Sequence, residues 1–333
     1  RGETERLLAY EPDTGGGLIT TEVVAVEEAA SVDAALESVR AAARAGRKEA
    51  MYAIYALDAT GLLRGVFSLR ELLAAPPGSR VSDISWHDVV SVPPTADREE
   101  VARLTSKYDL VAVPVVDPNG RLLGAVTVDD VIDAMVEEQT EDVQRLGAVE
   151  PLDAPYFQAS FWSIARKRAG WLVLLFFAEL LTATAMARYE ATLAGALALV
   201  FFVPLIISSG GNSGSQSATL ITRALAVGDV DLRDAVRVLT REGLQGLALG
   251  AFLGVFGFIR VILGGESTSF ALVVGVTLLA VVITGTLVGA TLPLVFTRLG
   301  FDPAIASSPF VASFVDVAGI LIYFSFAAWL LNS

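Results

Sequence analysis

Five stretches in the C-terminal half, at residues 170–187, 191–209, 243–263, 270–296 and 310–331, are apolar over the roughly 20 residues of helix that crossing a hydrocarbon core requires. A water-soluble core has no need of five such runs in succession. They predict an all-α, five-span transmembrane domain over residues 166–333. Charge divides the chain at the same place: through residue 160 there are 14 Lys/Arg against 28 Asp/Glu, and beyond it 10 against 9. An acidic, water-soluble half is thus joined to a nearly uncharged apolar one. The chain as a whole is 53% apolar with a mean hydropathy of +0.59, against about 45–50% apolar for soluble domains.

The absence of cysteine excludes disulfide scaffolds, thiol catalysis and Cys-ligated metal centres, and fits a cytosolic soluble half. No nucleophile–base constellation, phosphate-binding loop or His-rich metal site stands out, and the sole histidine, His87, takes no role, so an enzyme is not expected. The first residues, RGETERLL, contain neither an initiator Met nor an apolar signal core, which predicts that the chain begins inside a longer protein.

Short-flank basic residues set orientation. Arg166, Lys167 and Arg168 precede the first span, Arg223, Arg233, Arg237 and Arg241 separate the second from the third, and Arg298 follows the fourth. Only Arg188 and Arg260 lie on the other side. The acidic half is therefore expected in the cytosol of a multi-pass protein of the cell membrane, with the C-terminus outside. Five helices enclose a polar path poorly, which predicts a homodimer with the path near its symmetry axis.

Polar residues inside the spans carry the chemistry, because unsatisfied polar groups are costly in hydrocarbon. The second span runs into PLIISSGGNSGSQ, residues 204–216, where Pro204 and three glycines predict a disrupted helix whose carbonyls face a hydrated ion; Gly210, Gly211 and Asn212 are the candidate pore-lining residues. Asp316, in FVASFVDVAGILIYF, has no Lys or Arg in its span to pair with. Two copies facing each other across a dimer axis would favour a divalent cation. Glu179, in LLFFAELLTATA, is a second intramembrane acid that lines a side path, pairs with a polar group, or sits at the solvated interface.

The soluble half contains an internal repeat. At an ungapped offset of 59, residues 51–72 superpose on residues 110–131, matching Asp58 with Asp117, Gly61 with Gly120 and Gly65 with Gly124. Each copy reads as strand, D-x-x-G turn, strand, and a helix capped by Ser68 or Thr127, with a helical pattern before it from Ser31 or Ala96. After the second copy, residues 129–142, DDVIDAMVEEQTED, hold seven acids and no base. Hard carboxylate oxygens without imidazole or thiolate suit Mg²⁺ or Ca²⁺, unless the run is a solvated surface.

The paired units resemble a CBS-domain tandem, a fold whose cleft commonly binds adenine nucleotides. Thr127 and Asp130 match the T-x-x-D of that family, which implies contacts to ribose and phosphate; the first copy offers Ser68 and Glu71 instead. The order of parts, together with SGGNSGSQSAT at 209–219, GDVDLRD at 228–234, Asp302-Pro-Ala, Ser308-Pro, DVAG at 316–319 and TEDVQRLGAV from Thr140, resembles the MgtE family of Mg²⁺ channels over nearly the whole chain. That resemblance implies an α+β cytosolic CBS tandem followed by the five-span domain: residues 1–17 as the remnant of an acidic helical N-terminal domain, 18–82 and 83–135 as the two repeats, and 136–165 as a connecting plug helix and linker. It implies a cytosol-gated, dimeric Mg²⁺ influx pore with Asp316 attracting the hydrated ion. It further implies Asp130, Asp133, Glu138, Glu141, Asp142 and Asp302 as Mg²⁺-sensing acids, and modulation by ATP. Ser308, where the family often has Asn, and the acid at Glu179 are departures bearing on selectivity. The alternatives are an ion-coupled or broader transporter of Co²⁺ or Mn²⁺, or a membrane-anchored sensor acting on a partner. The bilayer, Mg²⁺ and an adenine nucleotide are the expected partners, with no nucleic acid.

Overall fold

A computed structural model describes residues 10–46, 53–190 and 198–331, and the chain forms two compact units, residues 1–139 and 140–333. In the first unit, β1 (Val24–Glu27) lies parallel to β2 (Ile54–Leu57), which pairs antiparallel with β3 (Leu63–Phe67). Between β1 and β2 runs α1 (Val32–Arg44), which begins where Ser31 accepts from the Ala34 amide. It buries Val32, Ala35, Val39 and Ala42, spaced three and four apart on one face. The short helices α2 (Leu69–Ala74) and α3 (Val81–Ile84) close this copy. In the second copy, α4 (Arg98–Lys107) is capped by Asp97, β4 (Ala112–Val116) pairs antiparallel with β5 (Leu122–Thr127), and α5 (Val128–Leu146) follows.

The repeat holds at the level of single hydrogen bonds. Asp58 accepts from the amides of Thr60 (2.8 Å) and Leu62 (3.0 Å), and Asp117 from those of Asn119 (2.8 Å) and Arg121 (2.8 Å). Each turn closes on a glycine of positive φ, Gly61 at 84° and Gly120 at 82°, a conformation that any Cβ would strain. The two turns meet where the Leu63 amide donates to the Gly120 carbonyl (3.0 Å).

Two expected boundaries shift. Leu18 and Ile19, expected to open the first repeat, pack into the core of the second with Val92, Val101, Val113, Val126 and Val131, and Thr20 pairs with Ala125 on β5. The acidic segment, expected as a separate connecting helix from residue 136, is the unbroken continuation of α5, which ends at Leu146 before Gly147.

The second unit holds α6 (Phe161–Ala187), α7 (Ala198–Ala226), α8 (Ala235–Leu263), α9 (Thr268–Arg298) and α10 (Ser308–Leu331). All five are long and apolar enough to cross a membrane. The expected start of the second span at residue 191 lies outside the described residues. Its expected disruption does not occur: α7 is continuous through Pro204, Gly210, Gly211 and Gly214. In hydrocarbon a broken helix strands amides and carbonyls that water cannot satisfy, so a glycine that would weaken a helix in water stays helical here.

Those glycines serve packing. Gly210 and Gly214 on α7 face Gly285 and Gly289 on α9, two small-x-x-x-small pairs that bring the helix backbones together. A Cβ at Gly285 would collide with the Gly210 carbonyl, and one at Gly289 with the Gly214 carbonyl. Around this contact Val203, Ile206, Val274, Leu278, Val281, Val315 and Tyr323 form the core of the bundle. By contrast, α6 is only 6% buried over its most apolar stretch, against 50% for α9.

Candidate functional site

Asp316 sits half-buried near the middle of α10, facing the flattened side of α7. The two are direct neighbours: a Cβ built on Gly211 would lie 3.6 Å from Asp316 Oδ1, in ordinary van der Waals contact. Of the three candidate lining residues, Gly211 therefore adjoins the acid and Asn212 is exposed. Gly210 does not line a path; it lies against Val281 and Val315 in the core. Freed carbonyls, the chemistry expected of this segment, are replaced by side chains. Ser208, Asn212, Gln216 and Thr219 are all exposed on one side of α7, with Asn212 Nδ2 donating to Ser208 Oγ (3.4 Å). A stripe of hydroxyls and amides on a membrane-crossing helix must meet water or protein.

From α6, the Glu179 carboxyl lies close to that of Asp316. Two carboxyl groups brought this close repel unless something positive, a proton or a cation, stands between them.

One intramembrane acid escaped sequence reasoning. Glu242 on α8 is 5% exposed and accepts from Ser217 Oγ at 2.6 Å. It stands one residue before the expected start of the third span, beside Arg241, where a charge reads as interfacial. The glycines at 246, 250 and 254, which turn this face of α8 against α9, are the signal that the Glu242 side faces inward.

The expected sensing acids fall into two places. In the first unit, Asp133 is exposed and Asp130 half-buried, while Glu138 pairs with Arg98 of α4, a buried guanidinium that also meets Glu137 (3.4 Å) and Asp13 (2.9 Å). In the second unit, Arg145 bridges Glu141, one turn before it on α5, to Asp302 in the turn before α10. Asp142 lies beside them, and burial followed by the nearby Asp302 carboxylate pushes its carboxyl above the usual range. Among the described residues, no group of three or more such side chains converges in a form that could hold a metal ion; Arg145 stands between Glu141 and Asp302.

The nucleotide candidates form matching pairs. Thr127 Oγ1 donates to Asp130 Oδ2 (2.8 Å), and Ser68 Oγ to Glu71 Oε2 (2.6 Å), where a reciprocal capping box starts α2. Thr127 is buried, so a ligand must open that hydrogen bond to reach its hydroxyl.

Comparison with known proteins places these features. Residues 203–326 match MgtE, described as a divalent cation transporter, and residues 81–137 match the CBS domain. The magnesium transporter MgtE of Thermus thermophilus is 45% identical over 333 residues, covering 100% of this chain and 73% of that protein. The magnesium transporter MgtE of Enterococcus faecalis is 35% identical over 98% of this chain and 71% of that protein. Among solved structures, the cytosolic domain of the Mg²⁺ channel MgtE in complex with ATP is similar at 50% identity and a TM-score of 0.38, covering 40% of this chain and 53% of that one. The chain belongs to the MgtE family of magnesium transporters.

Proposed function

We propose that this protein carries Mg²⁺ into the cell along a path that passes Asp316, as a homodimer in the cell membrane with the CBS pair in the cytosol and the C-terminus outside. The observation that carries the reading is a half-buried acid on a membrane-crossing helix, Asp316, beside Gly211 of α7, whose neighbour in sequence, Asn212, belongs to the exposed polar stripe of that helix. Membership of a magnesium transporter family identifies the ion, and carboxylate oxygen suits a hard cation that keeps part of its water shell. The stripe is open to the outside of the single chain, and so is most of α6. A second copy would complete the walls and bring two Asp316 carboxylates to one axis.

Gating by cytosolic Mg²⁺ is assigned to the group at the end of α5. Glu141, Asp142 and Asp302 place three carboxylates near Arg145, with Arg223 as a second nearby guanidinium. Mg²⁺ would relieve the remaining repulsion and favour the state it bridges, the closed one, with Asp130, Asp133 and Glu138 contributing from the CBS side. ATP is assigned to the cleft by Thr127 and Asp130, with Ser68 as the weaker counterpart, and would modulate that balance.

The test is uptake into liposomes loaded with a Mg²⁺-sensitive dye. Purified protein admits Mg²⁺ well above protein-free vesicles; no uptake overturns the reading and favours a membrane-anchored sensor. Contact between Glu179 and Asp316 favours a second reading, broader divalent or ion-coupled transport. Under it, Glu179→Gln changes the ratio of Mn²⁺ and Co²⁺ to Mg²⁺ uptake, whereas a purely structural Glu179 leaves that ratio unchanged.

A further inference from the structure

We propose that the first three turns of α8 hold the phosphate of an anionic phospholipid. Arg237, Thr240, Arg241, Leu244, Gln245 and Ala248 form one open, exposed face of α8. All six are exposed, and neither arginine makes an ion pair within the described residues. The nearby acids point elsewhere. Asp231 and Asp234 are spent on a reciprocal capping box at the turn before α8, and Glu242 is turned inward onto Ser217. This face therefore carries two cations and no anion.

Its depth places it in a bilayer. The 29 residues of α8 span about 43 Å at 1.5 Å each, while a hydrocarbon core is about 30 Å thick. About two turns of the helix project into a headgroup layer. The charge at the Leu263 end is a lone Arg260, and the arginine pair marks the other end. Along this face the side chains change in order from Arg237 to Arg241, to Leu244 and Gln245, and then to Ala248, about 16 Å in all and close to the depth of one leaflet. Guanidinium groups four residues apart project from the same side of a helix and offer paired donors to phosphate oxygens. Leu244 and Ala248 continue as the apolar wall that an acyl chain needs. This order, charged at the helix end and apolar toward the centre, matches a phospholipid and not a soluble anion or a purely apolar partner face.

The experiment uses the full chain, purified and delipidated in detergent, titrated with short-chain phosphatidylglycerol or phosphatidylcholine and read by native mass spectrometry. Wild type is expected to retain phosphatidylglycerol in preference to phosphatidylcholine, with the preference weakening as salt rises and millimolar inorganic phosphate failing to displace the lipid. The double variant R237Q/R241Q is expected to lose about thirtyfold in phosphatidylglycerol affinity, the equivalent of about 1 kcal/mol for each basic residue near an anionic surface. R237K/R241K should recover most of it. Equal retention of the two lipids by wild type, or equal phosphatidylglycerol affinity in wild type and R237Q/R241Q, overturns the proposal. So does displacement by phosphate alone, or a double variant that becomes monomeric with lipid affinity intact, which would make this face a contact between copies. The wild-type lipid preference and its salt dependence decide the matter even if R237Q/R241Q fails to fold.

Discussion

Replacing Gly289 with alanine tests how the helices behind the candidate path are held. A Cβ at this position would penetrate the Gly214 carbonyl oxygen and sit 2.9 Å from its carbonyl carbon and 3.0 Å from its Cα. All three atoms are backbone of α7, so no rotamer change relieves the clash; α7 and α9 must separate. Overpacking of this kind costs about 1–3 kcal/mol, and a backbone clash belongs at or above the upper end. Against it stands the higher helix propensity of alanine, about 1 kcal/mol. The net loss is about 2 kcal/mol, a melting point lower by about 4–8 °C for a unit of this size. Gly170 on α6 is the control, because an added Cβ there meets nothing within 4 Å. Gly170→Ala keeps the propensity gain alone and should melt at or slightly above wild type. The assay is thermal unfolding of the purified protein in detergent, followed by intrinsic fluorescence. If Gly289→Ala melts as high as Gly170→Ala, the backbone contact between α7 and α9 is not what the glycines are for.

Three further outcomes follow from the site. The Asp142 carboxyl is pushed up by burial and by Asp302, so its stabilising contribution is present below the ordinary carboxylate range and lost as pH rises through the elevated folded value; Asp142→Asn should raise the melting point at pH 7 without Mg²⁺, with the gain shrinking as pH falls toward 4, and a pH-independent shift would contradict this. Ser217→Ala strips the hydroxyl from the buried Glu242 carboxyl and should cost about 1–3 kcal/mol, read as a lower melting point. Thr127→Val keeps the shape but removes the hydroxyl that meets Asp130, and should weaken ATP binding about tenfold in a calorimetric titration; unchanged affinity would remove Thr127 from the nucleotide site.

What could be read from the chain in advance follows the physics of each signal. The spans were legible because hydrocarbon demands uninterrupted apolar helix, and the tandem because its turns need Asp and Gly at fixed places, so that Asp58 and Asp117 carry the same hydrogen bonds. Asp316 was legible as an acid with no basic residue in its span. Continuity of α7 through SGGNSGSQ was not, because glycine weakens helices in water and the same residue permits close packing in lipid. Pairing of Thr20 with β5 and of Arg98 with Glu138 depends on contacts between residues far apart in the chain, about which local pattern is silent. Glu242 was hidden by its neighbour: an Arg-Glu pair at the edge of an apolar run reads as interfacial, and only the helix rotation set by Gly246 and Gly250 turns it inward.

The central claim is that Mg²⁺ passes Asp316, and the most direct test is uptake by liposomes containing wild type or Asp316→Asn at matched protein content. The substitution keeps the side-chain size and removes the charge. Wild type should take up Mg²⁺ along its gradient, and Asp316→Asn should lose at least about tenfold in rate, the loss of about 1.4 kcal/mol of cation stabilisation. Uptake by Asp316→Asn at the wild-type rate would contradict the account.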